Sequence, residues 1–172
     1  MEKGKIYNYY KELPNWGKGL VAVPIVAIVG FVGYKIYKKL NPSQAEKKAK
    51  QLLSSVTNDI IEFKKRGVPQ TYPDANYVTF ANSIYEGMRY VIGDDYNQVV
   101  DTCKQLKTNL DAALTIAAFG TKQNYAFGLV PLGDPMDMLT FIQTELGNEW
   151  WYDNKVKQIN DYWNSKGITY RV

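Results

Sequence analysis

Three carboxylates close together in the chain, Glu145, Glu149 and Asp153, surround the aromatic run Trp150-Trp151-Tyr152. Two carboxylates flanking a sugar linkage, with aromatic faces as platforms, are the apparatus of glycoside hydrolysis; a phage lysis or cell-wall hydrolase built on this chain would act through Glu145. Gly147 stands between the first two acids and weakens helical continuity, so they need not share a face. The competing reading is that these are core aromatics beside the acids of helix ends. The absence of His weighs against enzymes in general, because it removes the usual general base and the commonest metal ligand. Ser-His-Asp and Cys-His catalysis and most zinc chemistry go with it. The one Cys, Cys103, shares an apolar helical register with Val99, Val100 and Leu106 and reads as a small buried hydrophobe. The expectation is a non-enzymatic protein with no catalytic residues and no cofactor.

A second constellation lies at Gly93-Asp94-Asp95, where backbone carbonyls and a carboxylate offer the ligand types that calcium takes. Gly87-Met88-Arg89, then Gly93-Asp94-Asp95, then Val99-Val100 resemble the start of an annexin repeat. In that family a helix ending in Ala-Met-Lys leads into Gly-x-Gly-Thr-Asp-Glu and an apolar helix. The resemblance implies a five-helix fold. It also implies a weak calcium candidate formed by Gly93 and Asp134, the latter standing where the family's later carboxylate would fall. Without calcium, Asp94 and Asp95 read as acids complementing the dipole of a helix N-terminus, and no metal is assigned.

A third constellation is aromatic. The chain carries 14 Tyr, 4 Trp and 6 Phe, and such side chains bury large area with few rotors, which favours interfaces. Tyr125, Phe127, Trp150 and Tyr152 fall in or beside expected loops and are the candidates for contact with a partner. Each serves equally well as a plug under a long loop.

The element that decides where these residues work is the longest uncharged stretch, Gly19 to Tyr34, GLVAVPIVAIVGFVGY. At about 1.5 Å of helical rise per residue it spans roughly 24 Å, against a hydrocarbon core of roughly 30 Å. The flanks close the gap: Trp16 and Tyr34 suit the two interfaces, and Lys18 and Lys35 bury their stems while their ammonium groups reach the headgroups. Leu20, Val21, Ile25, Ile28, Val29 and Phe31 point all round a helix, unlike a soluble core helix with one polar face. The end of the run, Val32-Gly33-Tyr34-Lys35, is a poor signal-peptidase site. The pattern predicts a single retained transmembrane helix over residues 19–34. Pro24 lies in its first turns, where a missing donor does least harm, and Gly30 and Gly33 continue from Ala27 a small-residue stripe that suits self-association.

Residues 1–18 mix Tyr and Trp with Lys, the composition of an interfacial segment. Residues 35–67 read as a basic amphipathic stalk helix, started by Asn41-Pro42 and stopped by Gly67, with Ala45, Ala49, Leu52, Val56, Ile60 and Phe63 as a narrow apolar stripe. A stripe this narrow packs on the following domain or on copies of itself. Lys35, Lys38, Lys39, Lys47, Lys48 and Lys50 make this half basic and would attract anionic headgroups or nucleic acid, though no specific nucleic-acid binding is expected. Residues 68–73 form a proline-bearing linker. Residues 74–172 read as five helices: one from Asp74, with Tyr77, Val78, Phe80, Ala81, Ile84 and Met88 inward; one carrying Val99 to Leu106; one capped by Thr108; one begun by Asp134-Pro135; and one from about Asn148 to Lys166. Thr121 to Gly133 is a long loop, and Ile168, Tyr170 and Val172 alternate as in a short extended tail. The expected fold class is therefore all-α: a single N-terminal transmembrane helix, an amphipathic stalk helix and a compact five-helix C-terminal domain.

This design resembles that of small membrane-anchored virion structural proteins of icosahedral phages with an internal membrane, and the Lys, Asn, Ile and Tyr usage suits a flavobacterial-type, AT-rich genome. The resemblance implies a virion component in the internal membrane, with the lipid bilayer and capsid or vertex proteins as partners. The alternatives are a cellular single-pass adaptor in a bacterial inner membrane and the hydrolase acting through Glu145.

Overall fold

The computed structural model describes residues 43–89, 95–126, 130–147 and 154–172. Contacts divide the chain into two units, residues 1–43 and 44–172, and apart from Ser43 every described residue lies in the second. Among the described residues the order of elements is α1 (Gln44–Lys65), α2 (Asp74–Glu86), α3 (Tyr96–Cys103), α4 (Asn109–Phe119), β1 (Thr121–Ala126), β2 (Val130–Asp137), α5 (Met138–Gly147) and α6 (Lys155–Ser165).

The helix α4 is the centre of the packing and touches α1, α2 and α5. Its sequence allows this, because Ala112 and Ala113 let neighbours approach closely while Leu110, Ile116 and Phe119 fill the space beyond. On α1 the predicted stripe holds: Ala49 and Val56 are buried, and Leu52, Ile60 and Phe63 pack at the margin of the core. The helix ends where expected. Gly67 adopts φ +71° and the Val68 N–H donates to the Phe63 carbonyl at 2.9 Å, a left-handed cap that a side chain would strain. The ring of Tyr85 on α2 packs edge-on against Phe119 at 6.2 Å and Phe141 at 5.7 Å, joining α2, α4 and α5 in one aromatic cluster.

The all-α expectation is corrected by an antiparallel hairpin between α4 and α5. Thr121 pairs with Asp137, Lys122 with Met136, Asn124 with Leu132 and Tyr125 with Pro131, and the register shifts between Lys122 and Asn124. The loop expected over Thr121 to Gly133 and the helix start expected at Asp134-Pro135 are both overturned. Pro131 and Pro135 make this stretch look like a loop, but a proline is tolerated in a two-stranded sheet, where both strands are edges. Gly133, at φ +64°, takes up the extra residues of the shift. The true start of α5 is set by Asp137, whose carboxylate accepts from the Thr140 N–H at 3.0 Å and the Thr140 hydroxyl at 2.7 Å.

Two smaller corrections concern α2. Val78, expected inward, is 52% exposed. Asp74 occupies the first helical turn instead of capping it, and its carboxylate accepts from Gln70 Nε2 at 2.6 Å. Among the described residues no helix is long and apolar enough to cross a membrane. The expected anchor at 19–34, the interfacial segment 1–18 and the helix start at Asn41-Pro42 lie outside the described residues.

The C-terminal tail alternates as predicted, with Ile168 buried and Thr169 and Arg171 exposed, but it joins no sheet. Asparagine side chains take the place of a neighbouring strand. Asn109 Oδ1 accepts from the Thr169 N–H at 2.8 Å and its Nδ2 donates to the Gly167 carbonyl at 2.9 Å. Asn160 does the same for Val172, accepting from its N–H at 3.1 Å and donating to its carbonyl at 2.9 Å. The Tyr170 hydroxyl then donates to Asp59 on α1 at 2.7 Å. Burial, and then the bond to Asp59, push the Tyr170 phenol above its ordinary value of 10.0, so the folded state holds this proton more tightly than the unfolded chain. The stabilising effect is complete below 10.0 and is lost as pH rises above it. Alkaline titration should show loss of helical circular dichroism together with tyrosinate absorbance, and Tyr170→Phe should move that transition to higher pH while lowering neutral-pH stability by about 1 kcal/mol.

Candidate functional site

The most elaborate polar cluster is built on Asp111, which is fully buried at the third position of α4. Oδ1 accepts from the Thr71 N–H at 3.0 Å and the Tyr77 hydroxyl at 2.6 Å. Oδ2 accepts from the Thr71 hydroxyl at 2.6 Å, the Lys107 N–H at 3.1 Å and the Thr108 N–H at 3.2 Å. Burial would raise the pKa of this carboxyl, but the bonds from Thr71, Tyr77 and Lys107 outweigh it and hold the group below its ordinary value. The Tyr77 phenol moves the other way, raised by burial and by its bond to Asp111. Five donors on a carboxylate with about four lone-pair positions leave no acceptor for a substrate proton. The cluster is therefore a fastening. It ties residues 69–72, expected as a linker, to α4 and α2, aided by the bond from the Thr108 hydroxyl to the Pro69 carbonyl at 3.2 Å.

The carboxylate singled out for hydrolysis is also engaged. Glu145 is half-buried on α5 and accepts from Asn124 Nδ2 of β1 at 2.7 Å, a contact that braces the hairpin against α5. Glu149 and Asp153, its expected partners, lie outside the described residues, as do Phe127, Trp150 and Tyr152. Tyr125, the remaining partner-contact candidate, is half-buried near the end of β1 opposite Pro131. Of the calcium pair, Gly93 lies outside the described residues, while Asp134 sits half-buried in β2. Among the described residues no group of three or more His, Cys, Asp or Glu is placed to hold a metal ion. Cys103 is fully buried, and burial pushes its thiol up to about 12, so it supplies no thiolate at neutral pH.

The outward face of α1 has a different character. Lys47, Lys48 and Lys50 near its start and Lys64, Lys65 and Arg66 at its end are exposed, and among the exposed side chains of the helix Glu62 is the one acid. The ion pairs between described side chains lie elsewhere, Arg89 with Glu86 at 2.8 Å and Lys157 with Asp161. Placing lysines in the first two turns opposes the helix dipole, so this end of α1 concentrates positive potential.

Sequence reasoning did not identify the Asp111 fastening or the Asn109 and Asn160 clamps. The Thr108-Asn-Leu-Asp111 spacing does signal a capping box, and that part forms, with the Asp111 N–H donating to Thr108 Oγ1 at 3.1 Å. The bonds to Thr71 and Tyr77 span 40 and 34 residues and carry no local signal. Comparison with protein-family models, with curated proteins and with solved structures finds no match to this chain.

Proposed function

We propose that this protein is a membrane-anchored, non-enzymatic structural protein, a phage virion component that holds its domain at the lipid membrane for contact with capsid or vertex proteins. The observation that carries the reading is the run Gly19 to Tyr34, uncharged throughout and flanked by Trp16, Lys18 and Lys35. The domain that follows supports it, because Asp111 and Glu145 brace elements against one another and Cys103 is kept as a neutral thiol. Tyr125, half-buried near the end of β1, and from their sequence positions Phe127, Trp150 and Tyr152 are the candidates for contact with the protein partner.

The reading is tested by fractionation and particle analysis. The protein should stay with membranes through high-salt and carbonate washes, leave them only in detergent, and appear by mass spectrometry in purified particles rather than in host membranes alone. Zymography on peptidoglycan gives the opposing result: clearing by the wild type that disappears in Glu145→Gln would replace the structural role with a hydrolase. The expected outcome is no clearing by either protein and a stability change under about 1 kcal/mol, since Gln keeps an oxygen for Asn124.

A further inference from the structure

We infer that the outward face of α1 is a docking surface for anionic phospholipid headgroups, on which the helix lies flat. Lys47, Lys50, Ser54, Asn58, Ile61 and Lys65 follow one another at steps of three and four, and every one of them is exposed. They form a single straight stripe opposite the buried Ala49 and Val56. Over 22 residues the helix is about 33 Å long, so lysines at both ends of the stripe reach a flat charged surface together only when the helix axis runs parallel to it. Lys64 flanks the stripe on one side and Glu62 on the other.

Two further features select a lipid surface as the occupant. Ile61, one turn before Lys65 at the C-terminal end of the stripe, is 48% exposed and can enter the boundary between headgroups and acyl chains when the helix lies on a bilayer. The short polar side chains Ser54 and Asn58 beside it allow close approach. Covalent reach makes the same surface available: nine residues, 35–43, separate Tyr34 from Gln44, and nine residues extend at most roughly 30 Å. An anchor at residues 19–34 would keep the start of α1 within that reach of the bilayer. The inference rests on the anchoring reading for this nearness, while the charge and spacing of the stripe stand apart from it. Lipid headgroups and the acidic leaflet potential attract each lysine near the surface, and the effect falls off within a Debye length.

The test uses the full chain in lipid nanodiscs of phosphatidylcholine alone or with about 30% phosphatidylglycerol, and reads the acylation rate of individual lysines by mass spectrometry. Lys47, Lys50 and Lys65 should react about tenfold more slowly in the anionic discs, recover in about 0.5 M salt, and leave Lys157 on α6 unchanged as the control. Equal rates in the two discs would overturn the inference. So would equal slowing by duplex DNA added to neutral discs, which would assign the face to nucleic acid. Incorporation into neutral discs reads the anchor separately. A chain that stays out of neutral discs, yet shows the slowed lysines on anionic vesicles, would overturn the anchor and support the face; slowing on neither would overturn both.

Discussion

Asp111→Ala should lower stability by about 4 kcal/mol and the urea midpoint by about 2 M, a large share of what a domain of this size possesses. The cause is the group of donors left behind. Truncation strands the Tyr77 hydroxyl, the Thr71 N–H and hydroxyl, and the Lys107 and Thr108 N–H groups around a site with no acceptor. Asp111→Asn keeps one oxygen and should cost about half as much. It also separates charge from shape through pH. The folded carboxyl is held below its ordinary value of 3.8, so its stabilisation is present above that value and is lost as pH falls through the lowered one. Wild-type protein should therefore lose stability as pH falls below 3.8. The Asn variant, weaker at neutral pH, should show a flatter acid limb, and urea titrations at several pH values followed by circular dichroism would measure both slopes.

Trp163→Ala should be comparably severe, at about 4 kcal/mol, for a different reason. Among the described residues Trp163 is the largest fully buried side chain, and its removal opens a cavity where α6 meets α3. Its indole N–H donates to the Cys103 carbonyl at 2.9 Å, so the truncation also deletes a buried hydrogen bond. Trp163→Phe should retain most of the packing and lose about 1 to 2 kcal/mol, which apportions the two effects. The tail is coupled to the same place, since the Ile168 N–H donates to the Trp163 carbonyl at 2.8 Å. Hydrogen exchange of residues 168–172 should accelerate in Trp163→Ala before any global unfolding. Unchanged exchange there would show that Asn109 and Asn160 hold the tail without help from α6.

The helices were legible where apolar spacing and local caps agree. The α1 stripe with its Gly67 stop and the Thr108 cap of α4 rely on residues within one or two turns, and each is legible from them. The hairpin was not legible, because β1 carries the polar residues Lys122, Gln123 and Asn124 without an apolar alternation, and β2 carries two prolines. Those strands are held by contacts from elsewhere: Tyr85 of α2 donates to the Gln123 carbonyl at 2.9 Å, and Asn124 reaches Glu145 of α5. Asp134-Pro135 carries as good a local signal for a helix start as Asp137. Only the pairing of Met136 with Lys122 and the bonds of Asp137 to Thr140 decide between them.

By itself the sequence determined the charge asymmetry, the apolar run from Gly19 to Tyr34 and the absence of histidine, since these are properties of composition and order that folding does not alter. It also determined most helix positions among the described residues, because a helix is closed by hydrogen bonds four residues apart and capped within a turn. Tertiary structure alone decided what the carboxylates do. Asp111 and Glu145 look alike on paper as acids beside helical segments, yet one gathers five donors from segments as far as 40 residues away and the other braces a hairpin. It also decided that the lysines of α1 stand on the open face of a packed helix. Burial and long-range partners depend on which elements meet, and that information lies in the summed packing of the whole domain rather than in any one stretch of it.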